Sequence, residues 1–273
     1  SDLRHFFTTM KYITLLFVFY FGFINSQKFD VEFEADYKLE YKLRNTQNAL
    51  KREASFALLI GKNSSFFKNI NHYVGDSLLY YKKIKKTGDP LKDMKTFHPY
   101  YSDFQENIGT TFSQIYVTME INGNFFEYRE PNNIKWKIEN EKKIIGKMTC
   151  VKATTRKYGR NWTAYFTEEI PFNYGPYKFN GLPGLIIELF DDKKDFYYTL
   201  YKFKKRKFTS QSANMYTNPT LVSKNKIFDY YKKNIQNPNR FKQIIDDPEV
   251  LRELQEKSAK LAREYNPLEL EID

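Results

Sequence analysis

Apolar and polar residues alternate with a period of two over much of this chain. Phe29, Val31 and Phe33 fall on one side and Asp30 and Glu32 on the other, and after Ala35-Asp36 the pattern resumes at Tyr37, Leu39, Tyr41 and Leu43. Successive side chains of a strand point to opposite faces, so these runs predict strands with one face on a core and one in water. Ser55 to Ile60 is a second apolar run, closed by the turn residues Gly61-Lys62-Asn63. The pattern loosens from Ser64 to Lys86, ahead of Thr87-Gly88-Asp89-Pro90, which predicts a mixed segment with a short helix and a loop. Ile115, Val117, Met119 and Ile121 then alternate, Asn122-Gly123-Asn124 follows, and Phe125-Phe126-Glu127-Tyr128 returns. An Asn-Gly pair between alternating runs marks a hairpin, because both residues accept a positive φ. Further runs cover Ile134 to Ile138, Lys143 to Ala153, Asn161 to Thr167, Leu185 to Phe190 and Phe196 to Lys205, each bounded by Gly, Pro, Asn or Asp. Short runs this closely spaced predict an antiparallel meander.

The period changes near the C-terminus. Leu221, Ile227, Phe228 and Tyr231 recur at helical spacing until Asn237-Pro238. A last helix has a clear start: Asp246 and Asp247 can cap it, Pro248 fits its first turn, and Glu249 suits the positive end of its dipole. Leu251, Leu254, Ser258, Leu261 and Tyr265 form one stripe, and an amphipathic helix of this kind is expected to lie on its own sheet. With no internal repeat and no low-complexity linker, residues 27–273 read as a single domain. The expected class is α+β: a mainly antiparallel, strongly curved, half-barrel-like sheet with a C-terminal amphipathic helix.

Met10-Lys11, the apolar stretch Tyr12 to Ile24 and Asn25-Ser26-Gln27 have the layout of a secretory leader, with cleavage expected after Ser26. An apolar run of about 13 residues is shorter than the roughly 20 needed to cross a bilayer, which favours a cleaved leader over an anchor. Ser1 to Thr9 precede that start and are set aside with it, so residues 1–26 are expected to be absent from the mature, periplasmic or secreted protein. Cys150 is the single cysteine, so no internal disulfide can form. Hydrophobic residues at 41% are sufficient to fill a core. A formal charge of +11 admits peripheral contact with an anionic membrane surface. The concurrent abundance of Lys, Phe, Tyr, Asn and Ile is also what AT-rich codons produce. No nucleic-acid module is recognisable, and the leader argues against such a partner.

The segment from Ile134 to Phe190 concentrates both tryptophans, the cysteine and the hexapeptide Gly181-Leu182-Pro183-Gly184-Leu185-Ile186. With the preceding Gly-Pro-Tyr-Lys-Phe-Asn, this hexapeptide resembles the signature of the GLPGLI family of exported proteins, or Porph_ging domain, known mainly from Bacteroidetes. Trp136, Glu139, Gly146, Cys150, Lys152-Ala153, Gly159-Arg160, Trp162, Thr167, Ile170-Pro171 and Gly175-Pro176 also fall where that pattern would place them, while Tyr165 stands where tryptophan is expected. The resemblance implies export but brings almost no chemistry. The arrangement of strands also resembles, by analogy, the half-barrel of periplasmic lipoprotein carriers.

Candidate chemistry is sparse. Gly181 and Gly184 permit unusual backbone, Pro183 fixes one φ, and Leu182, Leu185 and Ile186 can enter a core, so the hexapeptide reads as a tight structural turn delivering a buried strand. Arg160, beside Gly159, is expected at a solvated hairpin tip, or else clamping a carboxylate or phosphate with its planar fork. Trp136 and Trp162 are core anchors or ligand-stacking surfaces. Glu168 and Glu169, adjacent on a strand, would face opposite ways and could not form an acid/base pair. Asp191-Asp192 with Asp195 reads as an acidic turn or a weak calcium candidate. His72 and His98 are too far apart for a zinc pattern, and Cys150 reads as an inert buried thiol.

No catalytic set, cofactor site or metal site is recognisable. The leading expectation is a noncatalytic envelope protein binding an apolar ligand, a peptide or an envelope protein, with Arg160, Trp162 and Trp136 as candidate contacts. The alternatives are a secreted or periplasmic hydrolase and a partner-binding subunit of an outer-membrane complex.

Overall fold

The computed structural model describes residues 29–76, 78, 84–85, 87–97, 102–121, 124–210, 218–234, 237 and 246–272. The leader and upstream residues expected over 1–26, the Asn122-Gly123 turn and His98 lie outside the described residues.

The chain is mostly β. Six strands, β1 (Phe29–Tyr41), β2 (Arg52–Ile60), β3 (Ser64–Asn69), β4 (Asn107–Thr111), β5 (Gln114–Ile121) and β6 (Asn124–Pro131), form one antiparallel meander. Five more, β7 (Lys137–Ile145), β8 (Met148–Lys157), β9 (Arg160–Thr167), β10 (Leu185–Asp191) and β11 (Phe196–Ser210), form a second. The two meanders join where β11 pairs with β1, and β12 (Thr220–Leu221) adds a short parallel edge on β6. The described residues thus make one twelve-stranded sheet in the order β12-β6-β5-β4-β3-β2-β1-β11-β10-β9-β8-β7, mixed and open at both ends. Helices are few: α1 (Ile70–Asp76), α2 (Pro90–Phe97), α3 (Lys224–Asn234) and α4 (Pro248–Glu264). The α+β expectation is corrected to mostly β.

The sheet curls strongly. In a flat sheet at about 4.8 Å per strand, β6 and β9 would lie about 38 Å apart. Yet Tyr158, at the mouth of β9, donates its hydroxyl to Glu130 of β6 at 2.7 Å. Curling buries one face: Tyr37, Leu39 and Tyr41 of β1 meet Phe56, Phe67, Val117 and Tyr198 across it. The Phe56 and Phe67 rings stack with centroids 4.8 Å apart, and Tyr41 meets Phe104 edge-on at 4.9 Å. Such aromatic pairs add about 0.5–1.5 kcal/mol beyond their buried area. The free edge β7 carries Lys137, Glu139, Glu141, Lys142 and Lys143, charges that discourage pairing with another chain.

Several boundaries differ from the sequence reading. The two predicted N-terminal strands are one 13-residue strand, whose pairing with β11 is interrupted by irregularities at Val31/Phe33 and Asp36/Tyr37. The predicted strand Lys143 to Ala153 is a hairpin, turning at Gly146 with φ +62°. Of the segment Ser64 to Lys86, expected as mixed with a short helix and a loop, the short helix is α1, while Ser64–Asn69 is strand β3, buried along nearly its whole length. Glu168 and Glu169 lie in a turn after β9, not on a strand. In α4, Asp247 caps the helix by accepting from Glu249 N–H and Val250 N–H, and Pro248 opens it. Ser258 is the one stripe residue fully buried among those described, while Leu251, Leu254 and Leu261 are half-buried.

Candidate ligand cavity and its buried charge cluster

The connection from β9 to β10, residues 168–184, folds back over the curled face. Leu185 N–H donates to Ile170 O and Ile186 N–H to Tyr174 O, at 3.0 and 3.1 Å, which holds the two ends of the connection together. Within the signature hexapeptide, Gly181 is exposed at φ +90°, a conformation open to glycine. Leu182 is buried, Pro183 is exposed, and Leu185 and Ile186 begin β10 with no exposure. Gly184 lies so close to β9 that a Cβ there would sit 2.1 Å from the Thr167 carbonyl oxygen. Gly181 also borders a hollow of about 600 Å³, walled mainly by amides and hydroxyls such as Asn132, Asn173, Ser113 and Thr111, with Lys62 at its edge.

The same connection drives a lysine into the interior. Lys178, with no exposure, has its ammonium 2.5 Å from Glu269 and 3.1 Å from Glu130, and it donates to the Tyr128 hydroxyl at 2.8 Å. Lys224, at the start of α3, completes the cluster at 2.8 Å from Glu130 and 2.8 Å from Glu269, the latter an ion-pair contact outside hydrogen-bond geometry. Tyr177, held at φ +58°, donates to Glu269, and Tyr158 donates to Glu130. Three tyrosine rings, of Tyr128, Tyr158 and Tyr177, surround the Lys178 ammonium at 5.0 to 5.2 Å. Burial alone would lower the Lys178 pKa, but Glu269 and Glu130 outweigh it and hold the lysine above its ordinary value. Burial likewise pushes Glu130 upward, and Lys178, Lys224 and the hydrogen bonds of Lys224 and Tyr158 bring it below the ordinary carboxylate value.

A second anchor fastens the segment that follows α4. Arg160, only 6% exposed, donates to Asp191 at 2.8 Å, to Asn266 Oδ1 at 2.6 Å, and to the carbonyls of Pro267 and Leu268. Its planar fork does clamp a carboxylate, but that carboxylate is Asp191 of the same chain, and the expectation of a solvated tip is corrected. Asn266 N–H donates to Leu43 O and Leu270 N–H to Tyr158 O, so residues 266–270 run against the curled face.

Between this segment, α3 and the sheet lies a cavity of about 770 Å³. Its walls include Leu43, Phe104, Met119, Ile227, Phe228 and Leu268, together with Tyr128, Tyr177, Glu106 and Glu269. The combination of apolar walls and a few placed polar groups is the ordinary composition of a small-molecule site.

Arg160, Trp162 and Trp136, the candidate contacts read from the sequence, are not among the residues that wall this cavity. Trp162 is buried against Phe179, ring centroids 4.7 Å apart, and donates to Lys157 O. Trp136 is half-buried and donates to Asn180 O at 2.8 Å. Glu168 is exposed, and Glu169 accepts from Thr149 N–H. Asp191 is tied to Arg160 and Phe196 N–H, Asp192 to Asn161, and Asp195 to Asn266. Among the described residues no group of three His, Cys, Asp or Glu is placed to hold a metal ion, and no helix is long and apolar enough to cross a membrane. Cys150 is fully buried, and burial, then Glu188 and Glu169, push its thiol up to about 11.

Sequence reasoning did not single out Lys178, Lys224, Glu130, Glu269 or Glu106. One signal was present for Lys178: a lone charge between Tyr177 and Phe179, in a connection otherwise rich in residues that bury.

Residues 155–188 match the model of the Porph_ging family, a protein family of unknown function associated with GLPGLI proteins of Bacteroidetes. That span runs from the end of β8 to β10 and contains Arg160, Lys178 and the hexapeptide. No curated protein matches the chain. Among solved structures, one of PNGF-II superposes with a TM-score of 0.51 at 12% identity, covering 73% of this chain and 32% of that one. This chain therefore spans about a third of the length of PNGF-II, and the likeness concerns the fold alone. A LolA superfamily protein from Nitrosomonas europaea gives a TM-score of 0.29 at 6% identity, covering 69% of this chain and 90% of that one.

Proposed function

We infer that this chain, whose residues 155–188 belong to the Porph_ging family, is an exported, noncatalytic accessory protein that holds an apolar ligand or a peptide inside its curled sheet. The observation that carries this reading is the cavity of about 770 Å³, walled by Leu43, Phe104, Met119, Ile227 and Phe228. Export is supported by the leader-like stretch from Met10 to Ser26. The charge of +11 suits a protein that works near anionic envelope surfaces. The buried lysine-glutamate cluster serves this function as scaffolding: it locks α3 and residues 266–270 onto the sheet and so shapes one wall of the cavity.

Native mass spectrometry of the protein isolated from its own envelope tests the reading. The expected result is a non-covalent mass excess that disappears in Met119→Trp and Ile227→Trp, two cavity-filling variants. A bare mass from the envelope, with no uptake of a neutral apolar dye by the wild type, would overturn it. Fractionation checks the address, which predicts the mature chain outside the cytoplasm and lacking residues 1–26.

A further inference from the structure

We propose that the ligand of this cavity is an amphiphilic cation, an amine or quaternary ammonium joined to an apolar body. This rests on the reading of the cavity as a binding site and adds the charge of what it binds. The ionisable groups on the walls, apart from tyrosines, are Glu106, Asp229, Glu269 and Glu271, all acidic. Within the neighbouring cluster, two lysines already face two glutamates: Lys178 and Lys224 lie against Glu130 and Glu269, and neither lysine lines the cavity. Glu106, half-buried on the cavity wall, stands outside that pairing. It makes no ion pair among the described residues, and it sits among Phe104, Met119, Tyr128 and Tyr177. A carboxylate in such surroundings is costly unless it is neutralised or given a cation. Burial raises its pKa, and the backbone hydrogen bonds of Glu106 and Gln105 and the charge of Lys178 pull the other way.

A further observation points to the same class of ligand. Tyr128 and Tyr177, which line the cavity, are rings over which the chain's own Lys178 ammonium already sits, at 5.0 and 5.2 Å. Both rings thus already engage a cation, and both also line the cavity. Asp229, exposed, adds negative charge where the cavity meets solvent, while Glu271 is paired with Arg156 at 3.4 Å. This local field opposes the basic charge of the whole chain, so a preference for cations would come from the cavity itself.

The test is calorimetric titration of the full chain at about neutral pH with decylamine, decanol and decanoate. Decylamine is expected to bind roughly tenfold tighter than decanol, the scale of one desolvated cation-aromatic or charge contact, and decanoate weakest. Glu106→Gln should bring decylamine down to the affinity of decanol and leave decanol unchanged. Glu106→Asp, which keeps the charge, should retain most of the preference and guards against a folding artefact, with circular dichroism confirming both variants. Equal binding of the three probes, or a preference that survives Glu106→Gln, overturns the assignment of charge while the cavity stands as an apolar site. Failure of all three to bind overturns the binding-site reading as well.

Discussion

Replacing Lys178 by methionine keeps most of its unbranched apolar stem and removes the charge from the centre of the cluster. Glu130 and Glu269 would then share a single lysine, Lys224, leaving one buried carboxylate uncompensated. Breaking a buried pair in this way typically costs about 3–5 kcal/mol. The protein has an escape, since the surplus carboxylate can take a proton. Doing so at pH 7 from an ordinary value near 4.5 costs about 3.4 kcal/mol, at roughly 1.36 kcal/mol per pH unit, and this caps the penalty. The expected loss is thus about 3 kcal/mol at neutral pH, or a fall in Tm of roughly 6–12 °C for a chain of this size.

The sign of the pH dependence follows from the groups involved. In the wild type the lowered pKa of Glu130 contributes stability above the ordinary carboxylate value, lost as pH falls through its folded value. In the variant the surplus carboxylate is raised instead, so its contribution is present at low pH and disappears as pH rises. The difference between the two proteins should shrink from about 3 kcal/mol at pH 7 towards zero near pH 4.5. Urea unfolding of both proteins at the two pH values measures it. A penalty below about 1 kcal/mol at neutral pH, or one equal at both, would refute the claim that Lys178 is a desolvated, paired charge.

Three further outcomes follow from the geometry. Gly184→Ala should lower Tm more than Gly181→Ala, because its new Cβ meets the Thr167 backbone at 2.1 Å whereas Gly181 has open space and pays only for its φ of +90°, about 1–2 kcal/mol. Arg160→Lys cannot reproduce four donated hydrogen bonds, so the amides of Asn266 and Leu270 should exchange at least about tenfold faster, read by hydrogen-deuterium exchange. Cys150 should resist a thiol reagent at about pH 8 in the native state and react at once in denaturant, because its thiol is buried and its pKa is pushed up to about 11.

Strands with one wet face were legible in the sequence, and β5 and β6 show why: Val117 and Met119 alternate with half-exposed Tyr116 and Glu120. Strand β3 was not legible because burial occupies both of its faces, Phe67 turning to the curled side and Phe66 to a smaller cluster with Val31 and Leu59. A strand buried on both sides loses the alternation that identifies it. The close approach of Gly109 to Tyr116 also hid β4, since glycine reads as a break until the ring that covers it is known. The charge cluster was illegible for a different reason. Lysine is rarely buried without partners, and those of Lys178 come from β6 and from a segment 91 residues away. Nothing local in the sequence announces such a meeting.

The first described strand is also the seam of the molecule. In the ladder of strands β1 is where the six-strand meander pairs with the five-strand one, with β2 on one side and β11 on the other. Unzipping it would part the protein into two half-shells, each baring a raw edge of unpaired amides and carbonyls. A lesion in Tyr37 or Leu39 would therefore act less like a dent in the core than like a lost stitch, and the two halves would be expected to come apart together.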